Sequence, residues 1–220
     1  MSQGALVREV HRRLIASFGP LEPPRIWDPL EELILTVLSQ NTSDTNSSRA
    51  YAALRARFGT WADVAAAEVA EVINAIRSGG LANTKGPRIH AIVCEIERRE
   101  GGFDLSWMRE ADDERVSDYL ASLPGVGPKT VACVLAFSLG RDVLPVDTHV
   151  HRVAGRLGLL PEKATAEAAH RILHDEVPPK LRLEMHMGMI KLGREVCKAQ
   201  KPRCVGCSLV DVCPTGRGAA

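Results

Sequence analysis

The sequence predicts an all-α protein, and three observations carry that prediction. Apolar residues recur at helical spacing in segment after segment. No stretch of useful length alternates apolar with polar residues. Hydrophobic residues make up 45% of the 220 but aromatics only 4%, so the core is built mainly from Ala, Leu, Val and Ile, a palette that favours helices.

Leu6, Val10, Leu14 and Phe18 recur every fourth residue and mark one apolar helix face, ended by Gly19-Pro20. Leu30 to Leu38 is a strongly apolar helix. The polar run Gln40 to Asp44 caps the next helix, which extends to about Phe58. A short helix follows over Trp61 to Ala67, then one over Glu68 to Arg77 that Ser78-Gly79-Gly80 terminates. Thr84 to Arg99 is helical, with Gly101-Gly102 behind it. Asp112 to Ser122 and Thr130 to Leu139 flank the turn Leu123 to Pro128. Thr148 to Leu157, Ala166 to His174 and Leu181 to Val196 complete the set. The chain shows no internal repeat and no low-complexity linker.

Composition narrows the function. Net charge is +1, unlike that of a dedicated non-specific nucleic-acid coater, so any basic surface is local. One such region spans Lys191 to Arg217, with a local balance of +4. No run of 18 apolar residues could span a membrane. Met1 to Phe18 is a charged amphipathic segment without a signal peptide's apolar stretch, so a cytoplasmic location is expected, at the nucleoid if the source is bacterial. Structural disulfides are rare there, so the six cysteines need another explanation.

The turn Leu123-Pro124-Gly125-Val126-Gly127-Pro128 is the first chemical signal. Two glycines around a small apolar residue allow positive φ and close approach, and the N–H groups of Gly125, Val126 and Gly127 can cradle a phosphate. Pro128 suits the first position of the following helix, whose N-terminus adds partial positive charge at the same place. Lys129 stands at that helix start, where an additional positive charge is disfavoured and the amine is more readily made nucleophilic. Asp147 lies 18 residues on, in Val-Asp-Thr-His, at a helix N-cap compatible with a cleft-edge carboxylate.

Cys197, Cys204, Cys207 and Cys213 are spaced C-x6-C-x2-C-x5-C, which brings four thiols within 17 residues around one metal centre. The spacing by itself leaves zinc and an iron–sulfur cluster both open. Cys94 and Cys133 lie in apolar helices and read as small buried hydrophobes.

The hairpin, Lys129, the Asp147 segment and the cysteine array together resemble the helix-hairpin-helix, Gly-Pro-Asp superfamily of DNA glycosylases, and within it endonuclease III. The resemblance runs from about Leu30 to Cys213. It implies two helical lobes with a DNA cleft between them: a six-helix barrel over 29–135 that carries the helix-hairpin-helix, and an iron–sulfur lobe from 1–28 and 136–220. It implies Lys129 and Asp147 as catalytic residues. It implies a [4Fe–4S] cluster on the four C-terminal cysteines. The expected partner is duplex DNA holding damaged bases or abasic sites, met by a monomer. Gln40 and Leu81 correspond to residues that enter the gap left by an everted nucleotide. His149 and the loop residues Lys198, Lys201 and Arg203 are expected to face DNA, as is Arg152. Related adenine glycosylases carry a catalytic glutamate on the early helix, where this chain has none after Glu32. Gly79 and Ala82 depart from the family pattern beside Leu81, which suggests a smaller, more flexible wedge. The implied activity is removal of oxidised pyrimidines with β-elimination at the abasic site. A mismatch or abasic-site specialist, or a non-catalytic DNA-binding or redox-sensing protein, fits the same residues.

Overall fold

The computed structural model describes residues 2–21 and 28–218; residue 1, the 22–27 part of the expected 1–28 segment and residues 219–220 lie outside that description. The described residues form twelve α-helices and no strand. They are α1 (Gln3–Phe18), α2 (Pro29–Ser39), α3 (Asp44–Arg57), α4 (Trp61–Ala66), α5 (Val69–Ala75), α6 (Ala82–Glu100), α7 (Asp113–Ala121), α8 (Pro128–Ser138), α9 (Thr148–Arg156), α10 (Ala166–Glu176), α11 (Arg182–Glu195) and α12 (Pro214–Arg217). Short 3-10 turns cover Arg77–Gly79 and Ser106–Arg109. The chain divides into two compact units. One comprises Met1–Arg25 with Arg141–Ala220, the other Ile26–Gly140. No helix among the described residues is long and apolar enough to cross a membrane.

The discontinuous unit is organised around α1, α9 and α11. Ser2 caps α1 by accepting from Ala5 N–H, and Gly19 ends it at φ 77°. The core face of α1 is Val7, Val10 and Leu14, with Leu6 and Phe18 flanking it half-buried. Strict four-residue spacing turns about 40° further round a 3.6-residue helix at each step, so the ends of the predicted stripe leave the face. The 7, 10, 14 spacing stays on it. Each fully buried aliphatic side chain contributes roughly 1.5–3 kcal/mol. Gly188 on α11 allows α1 to lie close, since a Cβ there would meet Leu14 and Leu21 at 3.0 Å.

The continuous unit carries α2 to α8; α4 has only six residues, and the other six helices are longer. Asp28 caps α2 by accepting from Leu30 N–H at 2.9 Å, and Pro29 occupies the first helical turn. α2 is buried over most of its length and packs on α3, α6 and α8. The helix expected over Glu68 to Arg77 instead ends at Ala75 and tightens into the 3-10 turn at Arg77–Gly79. The cause is close packing, because a Cβ on Gly79 would lie 2.6 Å from Ala50 Cβ on α3. Gly79 therefore fits a tight contact, not a flexible wedge.

Candidate functional site

The hairpin leads directly into α8. Gly127 is the N-cap and Pro128 the first helical residue, which places Lys129 second in the helix with its side chain half-buried. Only Gly125 takes positive φ, at 71°; Gly127 is extended at φ −107°. The Val126 N–H is used inside the turn, donating to Leu123 O at 3.2 Å, and its side chain is buried. The phosphate cradle predicted from three successive N–H groups is thus reduced to those of Gly125 and Gly127, for which the described residues supply no acceptor. Thr130 follows, almost fully buried.

Two further loops stand beside the hairpin in the same unit. Gln40 ends α2, and Leu81 precedes α6 in the left-handed conformation at φ 53°, with 53% of its surface exposed. An exposed leucine held at positive φ carries backbone strain that needs support from its surroundings. Lys85 supplies some of it. Buried in the first turns of α6, it donates from Nζ to Leu38 O at 2.6 Å, capping an orphan carbonyl at the C-terminus of α2. Burial pushes the Lys85 ammonium below the ordinary lysine range. This strut ties the start of the Gln40 loop to the end of the Leu81 loop. Arg49 also donates to Ser78 O at 3.2 Å. Arg88, one turn further along α6, donates from Nη1 to Gln40 Oε1 at 2.8 Å and lies against Gly125.

Glu32 is a titratable residue near this cluster that the sequence analysis used only as a negative marker. It is 5% exposed on α2 and accepts from Thr36 Oγ1 at 2.9 Å. Desolvation pushes its carboxyl up to about 7, against a smaller lowering by the Thr36 hydroxyl and the Lys129 charge. Any loss of positive charge at Lys129 would raise it further.

In the other unit Asp147 is the N-cap of α9, with Oδ1 accepting from Val150 N–H at 2.7 Å. Its second carboxylate oxygen has no partner among the described residues. The backbone leading to it is fixed by buried His186 on α11, whose Nδ1 lies 2.7 Å from Pro145 O. A carbonyl only accepts, so that nitrogen carries the proton. His149 is half-buried, 3.1 Å from Arg152 Nη2 and packed against Gly193. Arg152 turns inward, donating to Gly193 O at 2.9 Å and Cys197 O at 3.0 Å, so its guanidinium is engaged within the unit, contrary to the expectation that it faces outward.

Cys197, Cys204, Cys207 and Cys213 line one concavity, with aliphatic walls from Val153, Leu157, Leu192 and Leu209. Burial and the neighbouring thiols push the Cys207 thiol up, a direction that a bound cation reverses. No three His, Cys, Asp or Glu side chains among the described residues are grouped to hold a single metal ion. Four thiols around one concavity are a donor set that suits a soft metal centre, whether zinc or an iron–sulfur cluster. Arg156 holds the loop between the first two cysteines from inside. It donates to Cys197 Sγ at 3.2 Å, Lys198 O at 2.7 Å and Ala199 O at 3.0 Å. Lys198, Lys201 and Arg203 are left exposed on the outer side.

The structure thus gathers Gln40, Leu81, Gly125, Val126, Gly127 and Lys129 in one unit, and Asp147, His149, Lys198, Lys201, Arg203 and the four cysteines in the other. Sequence reasoning missed Lys85, Arg88, Glu32 and Arg156. Only Arg156 left a signal, its i,i+4 spacing from Arg152 on one helix face.

Comparison with known proteins bears on this geometry. Residues 34–179 match the family described as HhH-GPD superfamily base excision DNA repair protein. An Arabidopsis thaliana relative named for DNA glycosylase activity is 38% identical over 172 residues; these are 78% of this chain but only 59% of the relative. Endonuclease III of Thermotoga maritima is 32% identical over 208 residues, 94% of this chain and 92% of that one. A solved structure of a trapped endonuclease III–DNA covalent intermediate superposes with a TM-score of 0.86 at 29% identity, covering 100% of this chain and 99% of that one.

Proposed function

The chain belongs to the HhH-GPD superfamily of base excision DNA repair proteins, and from that premise we propose that it is a DNA glycosylase with an attached abasic-site lyase activity. The substrate class is duplex DNA containing oxidised pyrimidines. The observation that carries this reading is Lys129 at the second position of α8, directly behind a hairpin whose Gly125 and Gly127 N–H groups await an acceptor. A helix N-terminus with such groups suits a phosphate of the DNA backbone.

The chemistry follows from an amine at that position. Once deprotonated, Lys129 Nζ attacks C1′ of an everted nucleotide, and the glycosidic bond breaks with its electron pair leaving on the base. The sugar ring opens to an imine between Nζ and C1′. Loss of a C2′ proton then expels the 3′ phosphate, and water releases the lysine from the unsaturated aldehyde. Asp147, with one carboxylate oxygen on Val150 N–H and the other uncommitted, assists the lysine or offsets positive charge on the sugar. Gln40 and Leu81 occupy the gap left in the stack. Cys197, Cys204, Cys207 and Cys213 are assigned to a [4Fe–4S] cluster, supported by their shared cavity and by the family. The bound cluster would fix the shape of the loop that presents Lys198, Lys201 and Arg203 to phosphates. It takes no part in the bond-making steps.

Borohydride reduction of a reaction with duplex containing thymine glycol tests the proposal. A covalent protein–DNA adduct that disappears in Lys129→Ala is expected. An adduct undiminished by that substitution, or none on any of a panel of lesion and abasic duplexes, would overturn it.

A further inference from the structure

We propose that Arg88 is a positioning residue that presets the Gln40 amide as a hydrogen-bond donor toward the base left unpaired when the target nucleotide is everted. The inference deepens the reading above and rests on Gln40 entering that gap.

Arg88 Nη1 lies 2.8 Å from Gln40 Oε1. A guanidinium can only donate, so the amide oxygen must face Arg88 and the amide nitrogen must face away. At its other end the amide is directed toward Thr130 Oγ1, with Nε2 at 3.5 Å, a weak contact that a better acceptor can replace. Arg88 is itself confined. A Cβ built on Gly125 would meet its Cδ at 2.8 Å and its Cζ at 3.0 Å, so the hairpin's lack of a side chain makes room for the arginine stem. Among the described residues no salt bridge involves Arg88, and Gln40 Oε1 is the acceptor that its guanidinium meets. Gln40, Arg88, Gly125 and Thr130 all lie in the continuous unit. The hairpin that grips the backbone and the side chain that enters the stack are thereby coupled through one arginine.

The consequence is selectivity at the opposite base. Adenine offers an acceptor at N1 and a donor at its 6-amino group on the Watson–Crick edge. An amide locked as donor reads N1 and is indifferent to the amino group. A free amide could turn its oxygen to the amino group instead.

The test measures equilibrium binding, at one fixed salt concentration, to duplexes holding a tetrahydrofuran abasic analogue opposite adenine, opposite purine (no 6-amino group) or opposite 1-deazaadenine (no N1 acceptor). The full-length protein is expected to bind the adenine and purine duplexes alike and the 1-deazaadenine duplex about tenfold more weakly, the effect of losing one hydrogen bond. In Arg88→Met, which keeps the stem against Gly125, the 1-deazaadenine penalty should fall below about threefold. Arg88→Lys also only donates and should retain the wild-type ranking, so it decides the matter if the methionine variant folds poorly. Gln40→Ala should lose discrimination altogether. Equal wild-type binding to all three duplexes, an unchanged ranking in Arg88→Met, or a changed ranking in Arg88→Lys overturns the inference. Lys129-dependent borohydride trapping on the same preparations reports separately on the enzymatic reading.

Discussion

The hairpin before α8 and the cysteine loop after α11 are both expected to meet DNA, yet they are held in shape by opposite means. The hairpin is determined by its own six residues: one positive φ at Gly125, one internal bond from Val126 to Leu123, and Pro128 starting the helix. The cysteine loop has internal turns too, such as Cys207 N–H to Cys204 O at 3.0 Å, but its first segment depends in addition on distant side chains. Its carbonyls at Cys197, Lys198 and Ala199 are held by Arg152 and Arg156, more than 40 residues away in sequence. A surface built locally tolerates change elsewhere in the chain. One built at a distance is vulnerable at the residue that holds it.

The largest expected effect breaks the second arrangement. Arg156→Met keeps the aliphatic stem but removes the donors to three loop carbonyls and one thiol. Hydrogen bonds from a charged donor contribute about 1.5–3 kcal/mol each, discounted here because part of the contact is exposed. A loss of about 3 kcal/mol in urea unfolding is expected, together with a lower iron-to-protein ratio. Unchanged stability and iron content would mean that the cysteines organise the loop without α9.

Next in size is the buried carboxyl behind the hairpin. Glu32 is raised to about 7 in the folded protein from an ordinary value of 4.5. The folded state therefore holds this proton more tightly than the unfolded one. The group's favourable contribution is complete below about pH 4.5 and is lost as pH rises through 7. A shift of that size amounts to about 3 kcal/mol. Glu32→Gln removes the titration, so the variant should gain on wild type by about that amount between pH 4.5 and pH 8, measured as the difference between their unfolding free energies. A pH-independent difference would show that Glu32 titrates normally.

Glu32 also marks where the sequence ceases to be legible. The helices, the Ser43 cap and the hairpin follow from neighbouring residues, and α2 and α8 emerged within a residue or two of their observed ends. Lys129, Asp147 and the cysteine array stand out as candidates in the sequence because each sits in a short pattern with a chemical reason. Lys85, Arg88, Glu32 and Arg156 do not. Each acts across a helix–helix contact, and nothing within a turn of it says which neighbour it will face. The 3-10 turn at Arg77–Gly79 was hidden for the same reason, since it follows from Ala50 on another helix.

The hairpin can be divided at its two glycines. Gly125→Ala puts a Cβ at φ 71° and into the stem of Arg88, so a loss of about 2 kcal/mol in thermal or urea unfolding is expected. Gly127→Ala meets nothing within 4 Å at φ −107° and should stay within about 0.5 kcal/mol of wild type. Equal losses at both positions would show that the turn needs glycine for a reason other than φ and Arg88.

The smallest effect separates the two surfaces by the kind of contact each can make. Lys198 and Arg203 are exposed and carry full charges, so Lys198→Ala and Arg203→Ala should leave stability within about 0.5 kcal/mol. Each should reduce the slope of log affinity against log salt by about 1, because one fewer counterion is released on binding. The hairpin offers neutral N–H groups. Gly125→Ala should therefore weaken DNA binding while leaving that slope almost unchanged, unless displacing Arg88 exposes its charge to a phosphate. A hairpin variant that lowers the slope as much as Lys198→Ala would mean that the hairpin's grip on DNA comes from the Arg88 guanidinium rather than from its peptide groups.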